Sequence, residues 1–301
     1  MIYDCFNFFN ELDILEIRLN TLSEVVDKFI LCEATVTHTN QPKPLFYAKN
    51  KARFKKFEDK IIHVVVDDSP DVNVPWIIIN HQMSVVTRGL KKCNPKPNDT
   101  ILISCVDEIP KPERIAEWKD KPEKHKVFMQ ELSYYYLNCI DYTIEGKWDG
   151  TRMFLYKDLQ TYQSPYIARF TKPDVLIPDG GWHFSYVGDV KKIQYKLTAT
   201  AHQEYNNDKF NTPEHIKKAI SEGKDFLDFG RKFRIADLSE MPKYVQENKK
   251  KFKNILIERF ANESPTYPIF LFLLSLKKKL RLAFRKARNL YLQGKSFLSE
   301  T

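Results

Sequence analysis

Four short apolar runs in the first third of the chain, "IYDCFNFF", "KFILCEA", "IIHVVVDD" and "TILIS", most narrow what it can fold into. Each is nearly continuous in apolar residues, as expected of strands covered on both faces. The intervals between them have the length of helices. After the first run, Asn10 offers a cap and Asp13 lies in the first turn, while Leu12, Leu15, Leu19, Leu22 and Val26 recur at three and four residues. That spacing predicts an amphipathic helix, and a second is expected around Ile77 to Leu90. Short strands joined by helix-length segments imply an α/β domain on a mostly parallel central sheet built from right-handed crossovers.

From about residue 127 the texture changes. "VFMQELSYYYLNCI", "TRMFLYKDL" and "YIARF" are aromatic-rich and strand-like, with "EGKWDGT" between the first two as a turn carrying Gly146 and Gly150 around Trp148. A mixed or antiparallel second half attached to the first sheet is expected, followed by helices near 213 to 222 and 242 to 259. The simplest division is a catalytic body over 1–264 and a tail over 265–301.

Lys and Arg number 48 against 39 Asp and Glu. The excess is local, since eight of the basic residues lie between Lys277 and Lys295. A nucleic-acid groove is therefore not expected. The five cysteines are odd in number and scattered, a pattern that fits reduced thiols and a cytoplasmic setting. No signal-peptide pattern opens the sequence, and the apolar run "IFLFLLSL" is far shorter than the roughly 20 residues that span a bilayer. In the tail, Leu280, Phe284, Ala287 and Tyr291 share one helical face amid Lys278, Arg281, Arg285 and Arg288. Such a helix can lie on an anionic membrane surface as a peripheral anchor, or dock its apolar stripe on the body.

The strand ends point towards chemistry. The second run ends in Glu33, the third in Asp67 and Asp68, and the fourth in Asp107 and Glu108, closed by Pro110 and Pro112. Ligands of open parallel sheets bind beyond the carboxyl ends of strands, where carboxylates can hold a ribose or a divalent cation. Acids also simply mark where strands meet water, and both readings stand at this point. A second segment, "IPDGGWHFSYVGD", joins two glycines to Trp182 and His183. His183 can complete a metal shell with Asp107, and Trp182 can stack on a sugar or pack beneath the site. An aromatic pair buried beside a glycine turn is the alternative.

"IYDCFNFFNELDILEIRLNTL", "VDKFILCEA", "KPLFY", "KIIHVVVDD", "VDEIP", "YYYLN" and "GGWHFS", in this order, resemble glycosyltransferase family 17 over about residues 2 to 190. The resemblance implies a GT-A-like nucleotide-sugar fold and inverting transfer to a glycan, with a β-1,4 linkage; a tail lying on a membrane would suit a lipid-linked saccharide as acceptor. UDP-N-acetylglucosamine is the implied donor, and Mn²⁺ or Mg²⁺ is held at a D-x-D type motif. The second acid of that motif falls on Asp107, with His183 as its partner on the metal. Where the family usually carries the first acid, this chain has Cys105. A neutral thiol is a poor ligand for a hard cation. Metal affinity then falls, or the metal rests on Asp107, His183 and the donor's phosphates, or catalysis is lost and only binding remains. For the base, Asp179 and Glu108 stand ahead of Glu131 and Asp149. Glu33, Asp67, Cys105, Asp107 and Trp182 are expected on the donor side; Arg88 and Lys43 can contact a diphosphate, but a solvated surface role is the stronger expectation for each.

Overall fold

The computed structural model describes residues 1–143 and 148–261. The basic tail and its membrane reading, like Gly146 in the expected turn, lie outside the described residues. Met1–Glu258 form one compact unit. Its strands are β1 (Ile2–Phe8), β2 (Lys28–Ala34), β3 (Ile61–Val66), β4 (Thr100–Cys105), β5 (Glu108–Pro110), β6 (Lys126–Tyr135), β7 (Cys139–Asp141), β8 (Trp148–Leu155), β9 (Val175–Val187) and β10 (Phe233–Ile235). The helices are α1 (Leu12–Leu22), α2 (Phe46–Lys49), α3 (Pro75–Ser84), α4 (Val86–Cys93), α5 (Pro112–Trp118), α6 (Tyr156–Leu159), α7 (Pro165–Phe170), α8 (Val190–Ala199), α9 (Pro213–Glu222) and α10 (Lys243–Glu247).

All ten strands join one sheet in the order β10-β7-β6-β8-β4-β1-β2-β3, with β9 pairing β6 and β5 beside that path. The four apolar runs form its parallel half, β4-β1-β2-β3, as their pattern implies. Alternation along β1 explains the continuous run. Phe6 and Phe8 pack on one face with Leu15, Leu19 and Leu22 of α1, whereas Tyr3 and Cys5 pack on the other with Val86 and Leu90 of α4. The second half is mixed: β8 runs antiparallel to β4 and β6, and β9 runs parallel to β6. All five cysteines are free thiols. Among the described residues, no helix is long and apolar enough to cross a membrane.

Several local expectations are corrected. "YIARF" lies in helix α7, because Ser164 accepts a hydrogen bond from the Ile167 amide as N-cap and Pro165 suits the first helical position. Glu11, not Asn10, precedes α1, and its side chain does not cap the helix. The expected helix at 77 to 90 is two helices, and that at 242 to 259 shortens to α10 plus a 3₁₀ turn at Lys253–Ile255. Trp148 and Gly150 begin β8 rather than forming a turn.

The double glycine is the largest surprise, since it lies inside β9, a 13-residue strand. Gly181 has φ 151°, and a Cβ there would meet the Ile109 carbonyl oxygen at 2.1 Å. A Cβ on Gly180 would stand 2.8 Å from the Phe128 Cα. Here glycine permits close approach of backbone to backbone, threading β9 between β5 and β6.

Candidate functional site

The chain leaves β4 through Cys105–Glu108, and the two acids of this turn point to different places. Asp107 is 5% exposed, and its Oδ2 is 2.9 Å from Lys196 Nζ on α8 and 3.7 Å from His183 Nε2 on β9. The Phe184 amide donates to the Asp107 carbonyl at 2.9 Å, which ties the turn to β9. Burial favours the neutral acid, but the Lys196 ammonium and then His183 outweigh it and hold Asp107 well below the usual carboxylate range. Burial likewise opposes charge on Lys196, and Asp107 with Glu11 overrides it, so the ammonium is retained. Asp107 and Lys196 are therefore an ion pair at the mouth of the sheet.

Glu108 turns inward. Arg169 of α7 grips both its carboxylate oxygens, Nη1 at 2.9 Å from Oε2 and Nη2 closer still to Oε1. Trp148 Nε1 donates to Oε1 at 2.7 Å, and the Cys105 amide to Oε2 at 2.9 Å. Although burial raises its pKa, Arg169 dominates and depresses the carboxyl to about 2. With every strong acceptor direction taken, Glu108 braces the turn and is not the base expected from the sequence.

Beneath the turn lies Arg18 of α1, fully buried. It donates to Asp4 through Nε at 2.8 Å and Nη2 at 2.6 Å, to Ser104 Oγ at 2.6 Å, and to the carbonyls of Cys105, Val106 and Glu108 at 2.8 to 3.2 Å. Main-chain oxygens that a tight turn would otherwise leave without donors are thereby satisfied. Neither Arg18 nor Lys196 was singled out by the sequence reading. A lone arginine at a position that shares the apolar stripe of α1, facing a lone aspartate in an apolar strand, was the available signal for the first.

His183 pairs with Glu108 across the β5–β9 ladder, and its ring lies 4.6 Å from that of Trp148. Strand alternation sends its neighbour Trp182 the other way. Trp182 is buried in the core, where Nε1 donates to the Glu240 carbonyl at 2.8 Å. The indole at the site is thus that of Trp148, a correction to the sugar-stacking role of Trp182.

Other expected residues are dispersed. Asp179 lies in a bulged stretch of β9 with φ 53°, and its exposed carboxylate pairs with Lys111 at 2.8 Å. Glu33 is wholly buried and accepts from the Tyr47 amide at 2.8 Å, with His63 Nε2 at 3.1 Å, so it anchors α2 and has no face for a ribose. Asp67 is exposed beyond β3, three strands from β4 and about 14 Å away by strand spacing. Arg88 is taken by both oxygens of Asp68, at 2.8 and 2.5 Å. Asp149 pairs with Arg152 at 3.2 Å. Lys43 is buried, with its ammonium 5.6 Å from the ring centres of both Phe9 and Phe46. Cys105 stands at the end of β4, and burial with the nearby Glu108 pushes its thiol up to about 12, so it is neutral.

Glu11 replaces these as the second carboxylate of the site. Its Oε2 accepts from the Asn10 amide at 2.9 Å, and its Oε1 lies 3.7 Å from Lys196 Nζ. Glu11, Asp13, Tyr186, Lys192 and Lys196 line a shallow hollow that opens to solvent.

Among the described residues no three His, Cys, Asp or Glu side chains converge as a metal cage. Asp107 Oδ2 and His183 Nε2 nevertheless lie close enough to share one ion. One or two protein ligands, with substrate phosphates and water filling the shell, suit Mg²⁺ and similar cations. The residues present therefore fit a divalent ion that arrives with a phosphorylated ligand, with Lys196 already in contact with the same oxygen.

Residues 1–260 match the model of glycosyltransferase family 17. The beta-1,4-mannosyl-glycoprotein 4-beta-N-acetylglucosaminyltransferase of Rattus norvegicus is 23% identical over 305 residues, which cover 88% of this chain and 56% of that protein. Its Mus musculus counterpart is similar to the same extent. The chain thus spans about half the length of these curated relatives. A solved mannosyltransferase from Pyrobaculum calidifontis, PcManGT, in complex with GDP-Man and Mn²⁺, is 9% identical with a TM-score of 0.38, covering 60% of this chain and 56% of its own. That likeness is too slight to build on, but the family match extends well past the motifs that first suggested it: the chain belongs to glycosyltransferase family 17.

Proposed function

We propose that the protein is an inverting glycosyltransferase that moves a sugar from a nucleoside diphosphate donor to a glycan hydroxyl, with UDP-N-acetylglucosamine as donor and a β-1,4 linkage formed. The observation that carries this reading is the buried Asp107 carboxylate at the end of β4, flanked by Lys196 and His183 beside an open hollow. Asp107 and His183 would hold Mn²⁺ or Mg²⁺, which when bound supplies positive charge to a departing diphosphate. Lys196 offers a fixed ammonium to the same oxygens. Glu11, tethered by backbone amides with its other oxygen beside Lys196, is the group best placed to take the proton of an acceptor hydroxyl. A glycan or lipid-linked saccharide would enter through the hollow.

UDP release from a panel of UDP-sugars with Mn²⁺ tests the reading. Release with one sugar, reduced at least 100-fold by Asp107→Ala, is expected. A second reading, a relative that binds donor or glycan without turnover, draws on the neutral thiol of Cys105 in the motif position. UDP binding without release under any condition would select it.

A further inference from the structure

Lys196 does more than decorate the site, because it occupies the oxygen a metal would use. Its Nζ sits 2.9 Å from Asp107 Oδ2, the same atom that lies 3.7 Å from His183 Nε2. The ammonium rests 5.4 Å from the Tyr186 ring centre and is only partly exposed. A divalent ion and an ammonium in contact with one carboxylate oxygen repel each other strongly. For the ion to bind, the ammonium has to move. The other carboxylate within reach is Glu11, whose Oε1 is 3.7 Å away. A diphosphate would supply several more anionic oxygens, and a flexible lysine stem with a point charge can turn towards them.

From this competition we infer that Lys196 is an internal counter-ion that makes metal and nucleoside diphosphate binding interdependent. Without a diphosphate it holds Asp107 and keeps the divalent ion weakly bound. When a diphosphate arrives, Lys196 transfers to it and releases Oδ2. By linkage each ligand then tightens the other by the same factor. Cys105 sharpens the effect. With a carboxylate at 105 the ion would have a second acid to settle on while Lys196 stayed in place, whereas a cysteine, a poor ligand for a hard cation, leaves both cations contending for Asp107. The inference rests on the donor-site reading above and adds an order and a coupling to it.

Calorimetric titrations of the full chain with Mn²⁺ alone, UDP alone and each in the presence of the other test it, with no dependence on turnover. In the unsubstituted protein UDP should tighten Mn²⁺ at least tenfold. Lys196→Met should shift the separate affinities in opposite directions, Mn²⁺ tighter and UDP weaker by about tenfold each. Lys196→Arg should retain weak binding of Mn²⁺ alone. Should the methionine variant fail to fold, Cys105→Asp provides the independent arm: Mn²⁺ alone should bind at least tenfold tighter and gain less from UDP. Mn²⁺ affinity unchanged or weakened in Lys196→Met, or unchanged in Cys105→Asp, overturns the coupling while leaving the donor site standing. Absence of both Mn²⁺ and UDP binding in the unsubstituted protein overturns the donor-site reading itself, and the coupling with it.

Discussion

Substituting Glu108→Gln separates a brace from a base. The glutamate is 1% exposed, and its partner Arg169 is 6% exposed, so the variant strands a guanidinium charge in the interior. Removing one member of a buried pair costs about 3–5 kcal/mol. Its acidity gives a second estimate. The carboxyl falls from 4.5 to about 2, a drop of 4.5 − 2 = 2.5, which at about 1.4 kcal/mol per pH unit amounts to roughly 3 kcal/mol. Because the folded value is depressed, this stabilisation is fully present above pH 4.5 and is lost as pH falls from there through 2. Urea unfolding at pH 7 should therefore show the Gln variant with a midpoint about 1 M lower, taking a slope of about 3 kcal/mol per M for a body of this size. At pH 3 the gap should shrink by more than half. A variant that unfolds at the same urea concentration as the unsubstituted protein, yet has lost turnover, would refute the bracing role and return Glu108 to the chemistry.

Three further outcomes follow from the same geometry. Arg18→Met should lower stability by about 3 kcal/mol or more in urea, and adding Asp4→Asn should recover part of it, because the aspartate is then no longer an unpaired buried charge. His125 is buried against Phe154, and burial with nearby Arg152 depresses it to about 4, so the unfolded chain takes up a proton below pH 6.5 that the folded one refuses. Stability falls as pH drops from 6.5 to 4, and His125→Phe should flatten melting temperature against pH across that window. Glu11→Gln should reduce turnover by about 10²- to 10⁴-fold while UDP affinity, measured by calorimetry, stays within a few fold.

The parallel half of the sheet was legible because β1, β2, β3 and β4 are short, apolar and separated by helix-length intervals, and a parallel sheet with helices on both sides buries both faces of each. The second half was less so. Glycine reads as a turn unless one knows that β5 and β6 press on either side of Gly180 and Gly181, which is tertiary information. The Ser164-Pro165 start of α7 was readable, but the aromatic content of the following residues suggested a strand. At the site, Asp107 and His183 were found because an acid after a buried strand and a histidine after glycines are unusual in type. Lys196 was invisible, since one lysine among several on a helix looks solvated. Glu11 was hidden for a related reason, as its position beside Lys196 depends on where β9 delivers α8.

The neighbouring acids of this motif show why a pattern of residue types underdetermines chemistry. Asp107 and Glu108 are adjacent, yet one faces Lys196 and His183 and the other is enclosed by Arg169, Trp148 and the Cys105 amide. At Cys105 the frame is held by the main chain alone, with its amide on Glu108 and its carbonyl on Arg18. A side chain can therefore change there without loss of the turn, and an acid in place of the thiol would alter the balance of charge rather than the architecture. With a thiol at 105, an ammonium and an imidazole surround a single aspartate oxygen, and under the proposed function a divalent ion there would depend on the anion it travels with. On that reading, the same frame that tolerates the thiol would make the donor's phosphates part of the coordination the metal needs.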